Sequence, residues 1–164
     1  MQWFALYVKS RHEFITNNEL RKKQVVTFLP SFKLWRQWKD RRKLIDFPLF
    51  PGYLFVHIHP HSEAYLNVLK TRGAVTFVSL EQKYPAPVSP DEIDTLKILL
   101  DSGKEVDVYP HLKEGTKIRI KRGPLKGAEG IFLNKEQDMK FLVNINLLGR
   151  SVGLKIYADE IEDA

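Results

Sequence analysis

The alternation of apolar and polar positions divides this 164-residue chain into a helix-and-strand half and a half built of short strands. Trp3 to Val8 is β-rich and predicts a first strand. Ser10 followed by Glu13 has capping-box spacing, which predicts a helix to about Lys23. Arg21, Lys22 and Lys23 then fall in its last turn, where cations suit the helix dipole. Val25–Leu29 reads as a second strand stopped by Pro30, and the segment FPLFPGYLFVHIH (47–59) reads as a third. Ala64, Tyr65, Val68 and Leu69 form a helical stripe after Pro60, with His61 or Ser62 as its cap. Thr71-Arg72-Gly73 breaks that helix, and Ala74–Leu80 predicts a fourth strand. Ser89, Pro90 and Glu92 have the pattern of a second capping box. The stripe Ile93, Leu96, Leu99 and Leu100 follows, and Gly103 stops it. The order β-α-β-β-α-β-α predicts an α+β domain with a mostly antiparallel four-stranded sheet flanked by helices.

From about Lys104 to Lys113 the periodicity disappears, which predicts a linker. Beyond it, Lys117–Lys121, Gly130–Asn134, Lys140–Leu147 and Ser151–Tyr157 are short strand-like runs between glycine turns. That spacing predicts a small five-stranded β-barrel. Phe141, Val143, Ile145 and Leu147 alternate strictly, which favours a strand, although the same segment is also compatible with a helix. The expected division is a domain at 1–103, a linker at 104–113 and a second domain at 114–164.

Charge adds a partner to this picture. The net charge is +6. Six basic residues (Lys33, Arg36, Lys39, Arg41, Arg42 and Lys43) stand against Asp40 alone between positions 33 and 43. The rest of the chain is close to neutral, so a polyanionic partner is expected at this stretch. Trp35 and Trp38 interleave with the cations, a combination suited to phosphate contacts plus base stacking, with Lys39-Asp40 at a hairpin tip. The alternative is a solvated hairpin whose tryptophans cover the sheet. The chain has no cysteine, which removes disulfides and thiolate metal sites. No apolar run approaches the ~18 residues that span a bilayer. The N-terminus lacks the pattern of a signal peptide, and the expected location is the cytoplasm.

Within 47–59 the strand alternation separates two chemistries. Leu54, Val56 and Ile58 make an aliphatic face, and Pro51, Tyr53, Phe55 and His57 lie on the other. The aliphatic face suits helices packed on the sheet, while the aromatic one suits either a second layer or a partner. His57, His59 and His61 with Glu63 have the beginnings of a metal site, but Pro60 interrupts the strand and no fourth ligand is evident. His61 serves more simply as a helix cap. No nucleophile–base pair, glycine-rich phosphate loop or paired acid motif stands out. The expectation is therefore a binding protein, not an enzyme, with no metal and no cofactor.

The stretch EGTKIRIKRGPLKGAEGIFL (114–133) is similar to the KOW motif, carried by Gly115, Gly123, Pro124, Lys126, Gly127 and Gly130. Its basic positions Lys121, Arg122 and Lys126 are either nucleic-acid contacts or solvated turns. LFPGYLFVHI together with KTRGAVTFV resembles the N-terminal (NGN) domain of the NusG family of transcription elongation factors, and the resemblance runs through the linker and an SH3-like KOW barrel. It implies an NGN domain that binds the clamp helices of RNA polymerase, bridges the DNA cleft and suppresses pausing or termination. Pro51, Tyr53 and Phe55 are the implied polymerase contacts, and the 33–43 hairpin is implied to lie near upstream or non-template DNA. Thr71 and Arg72 match specialised, operon-targeted antiterminator paralogues, in which this position reads a displaced DNA strand. An arginine capping the last helix carbonyls is the alternative there. A ribosomal protein or termination factor is the implied partner of the KOW domain, and the protein is expected to act as a monomer away from membranes. The rival reading is a ribosome- or translation-associated RNA-binding KOW protein.

Overall fold

The computed structural model describes residues 1–80, 84–110, 115–135 and 138–155. Contacts within the chain define two compact units, Met1–Val88 and Ser89–Ala164.

The first unit is organised around β1 (Gln2–Val8), the most apolar strand of the half. Its even positions Phe4, Leu6 and Val8 join Leu54, Val56 and Ile58 of β5 (Tyr53–Ile58) in one buried cluster. Leu20 of α1 (Glu13–Lys22) and Val68 of α2 (Ser62–Leu69) close this cluster from above, and Phe77 of β6 (Ala74–Phe77) completes its edge. All strand pairs are antiparallel, in the order β2-β5-β1-β6, where β2 is Val26–Phe28. A fifth strand, β7 (Pro87–Val88), also pairs with β1, so the sheet has one strand more than the sequence predicts.

Between β2 and β5 the chain leaves the sheet as a two-stranded ribbon, β3 (Ser31–Trp38) and β4 (Arg41–Pro48). Phe47 and Pro48 therefore end the ribbon, and the single strand expected over 47–59 is confined to β5. The reason is local: Leu49 N–H donates to the Pro30 carbonyl, and Tyr53 N–H donates to that of Phe50, turning the chain between the two strands.

Both predicted capping boxes fail. Arg11 takes a left-handed φ of 62°, which delays α1 to Glu13 and leaves His12 as its N-cap. The Glu13 carboxylate, freed from capping, accepts a hydrogen bond from Gly52 N–H at 2.9 Å. The other end of α1 closes in a Schellman turn: Gln24 has φ 64°, and Val25 N–H reaches the Leu20 carbonyl. His61 does cap α2, its ring nitrogen accepting from Ala64 N–H at 3.3 Å.

The second unit begins with α3 (Pro90–Asp101), the helix that the sequence assigned to the 1–103 domain. It packs on β10 (Glu129–Lys135) and β11 (Asp138–Ile145). The Thr95 hydroxyl accepts from Glu129 N–H, and Glu92 accepts from the side-chain amide of Asn146 at 2.9 Å. Glu92 is thus engaged across the unit and makes no capping box. The expected linker is not featureless either. Its Asp107–Pro110 segment is β8, which pairs with β12 (Arg150–Lys155). The sheet order is β8-β12-β11-β10-β9, with β9 at Thr116–Arg119. Among the described residues β8 and β9 are not joined, so this is an open five-stranded sheet where a closed barrel was expected. The segment with two readings is a strand: Phe141, Val143 and Ile145 are buried, as is Leu142 between them, while Leu147 lies in the short 3₁₀ turn Asn146–Leu148. The predicted strand end at Tyr157 lies outside the described residues.

Two substitutions test this packing. Leu54→Ala removes a fully buried side chain and should lower stability by about 2–5 kcal/mol in chemical denaturation. At Gly130 a Cβ would run into the Leu142 carbonyl oxygen, so Gly130→Ala should cost about 1–3 kcal/mol by the same measurement.

Candidate nucleic-acid and docking interfaces

The ribbon carries all six predicted phosphate-facing cations. Its register pairs Lys33 with Asp46, Arg36 with Lys43, Gln37 with Arg42 and Trp38 with Arg41. The two-residue loop is Lys39-Asp40, where Lys39 adopts φ 48° and its carbonyl accepts from the Gln37 amide. Lys33, Arg36, Lys39, Arg41, Arg42 and Lys43 are all exposed. So are both tryptophans, Trp35 at 62% and Trp38 at 65%, so neither covers the sheet. At the base, Phe32 stacks on Phe47 with centroids 6.0 Å apart.

The aromatic face of the main sheet is a second candidate. Odd positions of β1 and β5 oppose one another in three rows: Trp3 with His57, Ala5 with Phe55, and Tyr7 with Tyr53. Trp3 and His57 stack at 4.7 Å, and Tyr7 and Tyr53 lie 5.4 Å apart. The middle row is filled differently. Phe55 is fully buried, flanked by Phe28 and by Phe50 edge-on. Of the three residues read from the sequence as an outward face, Pro51 is exposed and Tyr53 half-buried, while Phe55 forms the floor beneath them. Ala5 opposite Phe55 makes room for that ring.

Tyr7, 41% exposed, belongs with Pro51 and Tyr53 and was missed by the sequence reading. The parity of Trp3, Ala5 and Tyr7 in the first strand carries the signal that identifies it. Glu13, which holds Gly52 N–H beneath this end, left no such signal. Gly52 has φ 89° and lies against the Tyr7 ring, a close approach that suits glycine.

Thr71-Arg72-Gly73 divides into three roles. Thr71 is buried; its hydroxyl donates to the Asn67 carbonyl and accepts from Lys23 at 2.9 Å. Lys23 also donates to the Asn67 carbonyl, so it is this lysine that caps the end of α2. Arg72 is exposed, and its backbone carbonyl accepts from the Thr16 hydroxyl at 2.8 Å. Gly73 is buried at φ 87°, where a Cβ would collide with Thr16. Thr71 is therefore a structural latch and not a surface reader, while Arg72 is presented by a rigid elbow.

In the second unit the glycine motif forms a compact turn. Gly127 N–H donates to the Ile120 carbonyl, and Ile120 N–H to that of Ala128. Leu125 and Ala128 are buried under the turn, whereas Gly123, Pro124, Lys126 and Gly127 are exposed. Gly123 and Gly127 have φ of 82° and 90°. Gly115 abuts Ile131, and Gly130 abuts Leu142, so both serve strand packing. A separate hollow of about 580 Å³ in this unit is lined by Lys117, Arg119, Glu129, Asp91 and Glu92, with charges of both signs.

The ribbon, the two-faced sheet and the elbow fall in a stretch that matches a known family: the model described as transcription termination factor NusG covers residues 1–97. The chain belongs to the NusG family. The transcription termination/antitermination protein NusG of Staphylococcus carnosus is 28% identical, over 98% of this chain and 94% of the relative. The NusG protein of Streptococcus pyogenes is likewise 28% identical, over 90% and 87%. A solved structure of Thermotoga maritima NusG shares the fold with a TM-score of 0.55 at 24% identity, covering 99% of this chain. Family membership makes this a transcription factor. No helix among the described residues is long and apolar enough to cross a membrane.

The division of labour at the elbow is testable. Thr71→Ala removes a buried hydroxyl with two partners and should cost about 1–3 kcal/mol. Arg72→Ala should leave the unfolding midpoint within about 0.5 kcal/mol of wild type.

Proposed function

We propose that this NusG-family protein is an elongation and antitermination factor that docks on RNA polymerase across the DNA cleft and disfavours the paused or terminating state, on particular operons. The observation that carries the reading is the exposed aromatic end of the sheet, where Pro51, Tyr53 and Tyr7 stand together over the Glu13–Gly52 bond. Aromatic anchors of this kind dominate protein interfaces. The clamp helices are the partner that the family resemblance supplies. Phe55 supports these contacts from below.

The mechanism is non-catalytic. A bound factor shifts an equilibrium only by its differential affinity for the two states, so bridging the cleft acts by stabilising the closed, elongating form. The exposed cations of the ribbon and Arg72 follow the DNA, with Arg72 reading a displaced strand. The open five-stranded unit takes the KOW role of recruiting a ribosomal protein or termination factor, with Gly123, Pro124, Lys126 and Gly127 on its exposed turn.

The test is a pull-down of core polymerase with the full chain, followed by a pausing assay. Tyr53→Ala and Tyr7→Ala should each reduce polymerase retention at least tenfold while leaving the unfolding midpoint nearly unchanged. Phe55→Ala should lower stability by about 3–5 kcal/mol. Retention of ribosomal RNA by the wild type, with polymerase absent, would overturn the reading in favour of a ribosome-associated RNA-binding protein.

A further inference from the structure

The buried face of α1 opens with two polar residues. Its buried positions are Glu13, Thr16 and Leu20, at the i, i+3 and i+7 spacing of one helix face. A leucine there is ordinary core, whereas a carboxylate only 6% exposed is tolerated where it is hydrogen-bonded. The Glu13 carboxylate accepts from Gly52 N–H at 2.9 Å, 39 positions along the chain. Thr16 reaches a different segment, its hydroxyl donating to the Arg72 carbonyl at 2.8 Å.

The bond to Gly52 falls on the peptide that sets the shape of the docking turn. Phe50 to Tyr53 form a reverse turn closed by Tyr53 N–H, which donates to the Phe50 carbonyl at 3.0 Å. Pro51 and Gly52 are its central pair, and φ 89° at Gly52 makes it type II. Types I and II differ by a flip of the central peptide, and glycine accepts either sign of φ, so Pro-Gly by itself permits both. The N–H of that central peptide is the group that Glu13 holds. A flip would turn it away and deprive a buried carboxylate of this donor. Val8 N–H fixes the other side of the turn, donating to the Gly52 carbonyl at 2.8 Å.

We propose that Glu13 is a positioning residue for docking: it locks the Pro51–Gly52 peptide in the orientation that presents Pro51 and Tyr53 beside Tyr7, and, being buried, it does so without touching the partner. This rests on the docking reading of the aromatic end and identifies what holds that end in its binding form.

The experiment compares retention of core polymerase, free of nucleic acid, with the unfolding midpoint for variants of the full chain. Glu13→Gln keeps an acceptor at the same reach and should retain polymerase within about threefold of wild type. Glu13→Asp keeps the charge but is one methylene shorter, and Glu13→Ala removes the acceptor; both should lose about tenfold. Thr16→Val is the control. It deletes a bond from the same buried helix face to the elbow, so it should lower the midpoint and leave retention near wild type. The Gly52 amide should exchange slowly in wild type and Glu13→Gln, and faster in Glu13→Asp. Should Glu13→Ala not fold, the Gln and Asp variants carry the comparison. Equal retention by those two, or losses that track the midpoint alike at Glu13 and Thr16, would overturn the proposal. If Tyr53→Ala loses polymerase while Glu13→Asp keeps it, the positioning role fails and docking stands. If the wild type retains no polymerase, the docking reading fails and this inference with it.

Discussion

The register between β1 and β5 is the constraint on which the first unit depends. Six consecutive pairs, from Gln2 opposite Ile58 to Tyr7 opposite Tyr53, fix which side chains share a face. Phe4 and Leu6 oppose Val56 and Leu54 beneath the helices, while Trp3 and Tyr7 oppose His57 and Tyr53 on the far side. A slip of one residue would exchange the faces, burying tyrosine and histidine under α1 and α2 and exposing leucine and valine. Since β1 also pairs with β6 and β7, such a slip would propagate through the whole sheet.

That register also positions the candidate docking end. Tyr7 and Tyr53 are adjacent only because the ladder persists to the end of β1. The turn leading into Tyr53 is held from below by Glu13, a carboxylate at the start of α1 that would otherwise cap its own helix. Helix placement and presentation of the aromatic end are thus one interaction. The ribbon stands apart from this arrangement. It contributes nothing to the buried cluster, and its anchors are the Phe32–Phe47 stack and the Leu49–Pro30 hydrogen bond. A ribbon without a core of its own is free to carry charge on both faces, since no side chain there must be desolvated.

Period-two and helical patterns were legible in the sequence wherever one face meets a core. They identified β1, α1, β5, α2 and the division of β5 into two chemistries. What the pattern did not reveal were interactions between segments far apart in the chain. Phe55 has the parity of an outward residue, and its burial depends on Phe28 and Phe50, which alternation within one strand does not report. Thr71 reads as part of a surface motif, yet a lysine 48 positions away draws it into the fold. The capping boxes failed for the same reason, because Glu13 and Glu92 bond to Gly52 and Asn146 in preference to their own helix ends. The extra strand β8 was hidden because a short edge strand has too few residues to show a period.

The two candidate interfaces of the first unit obey different physics, and that difference bears on how they operate together. Cations in the ribbon act over a Debye length of about 8 Å at physiological ionic strength and release counterions on contact, so they set encounter rate and salt dependence. The tyrosine end acts only at contact, through desolvation and shape, and so sets residence and specificity. Because the exposed ribbon sets six cations against Asp40 and Asp46 and so carries most of the chain's net +6, the electrostatic approach is directional. A polyanion meets the ribbon first, and contact at the tyrosine end follows.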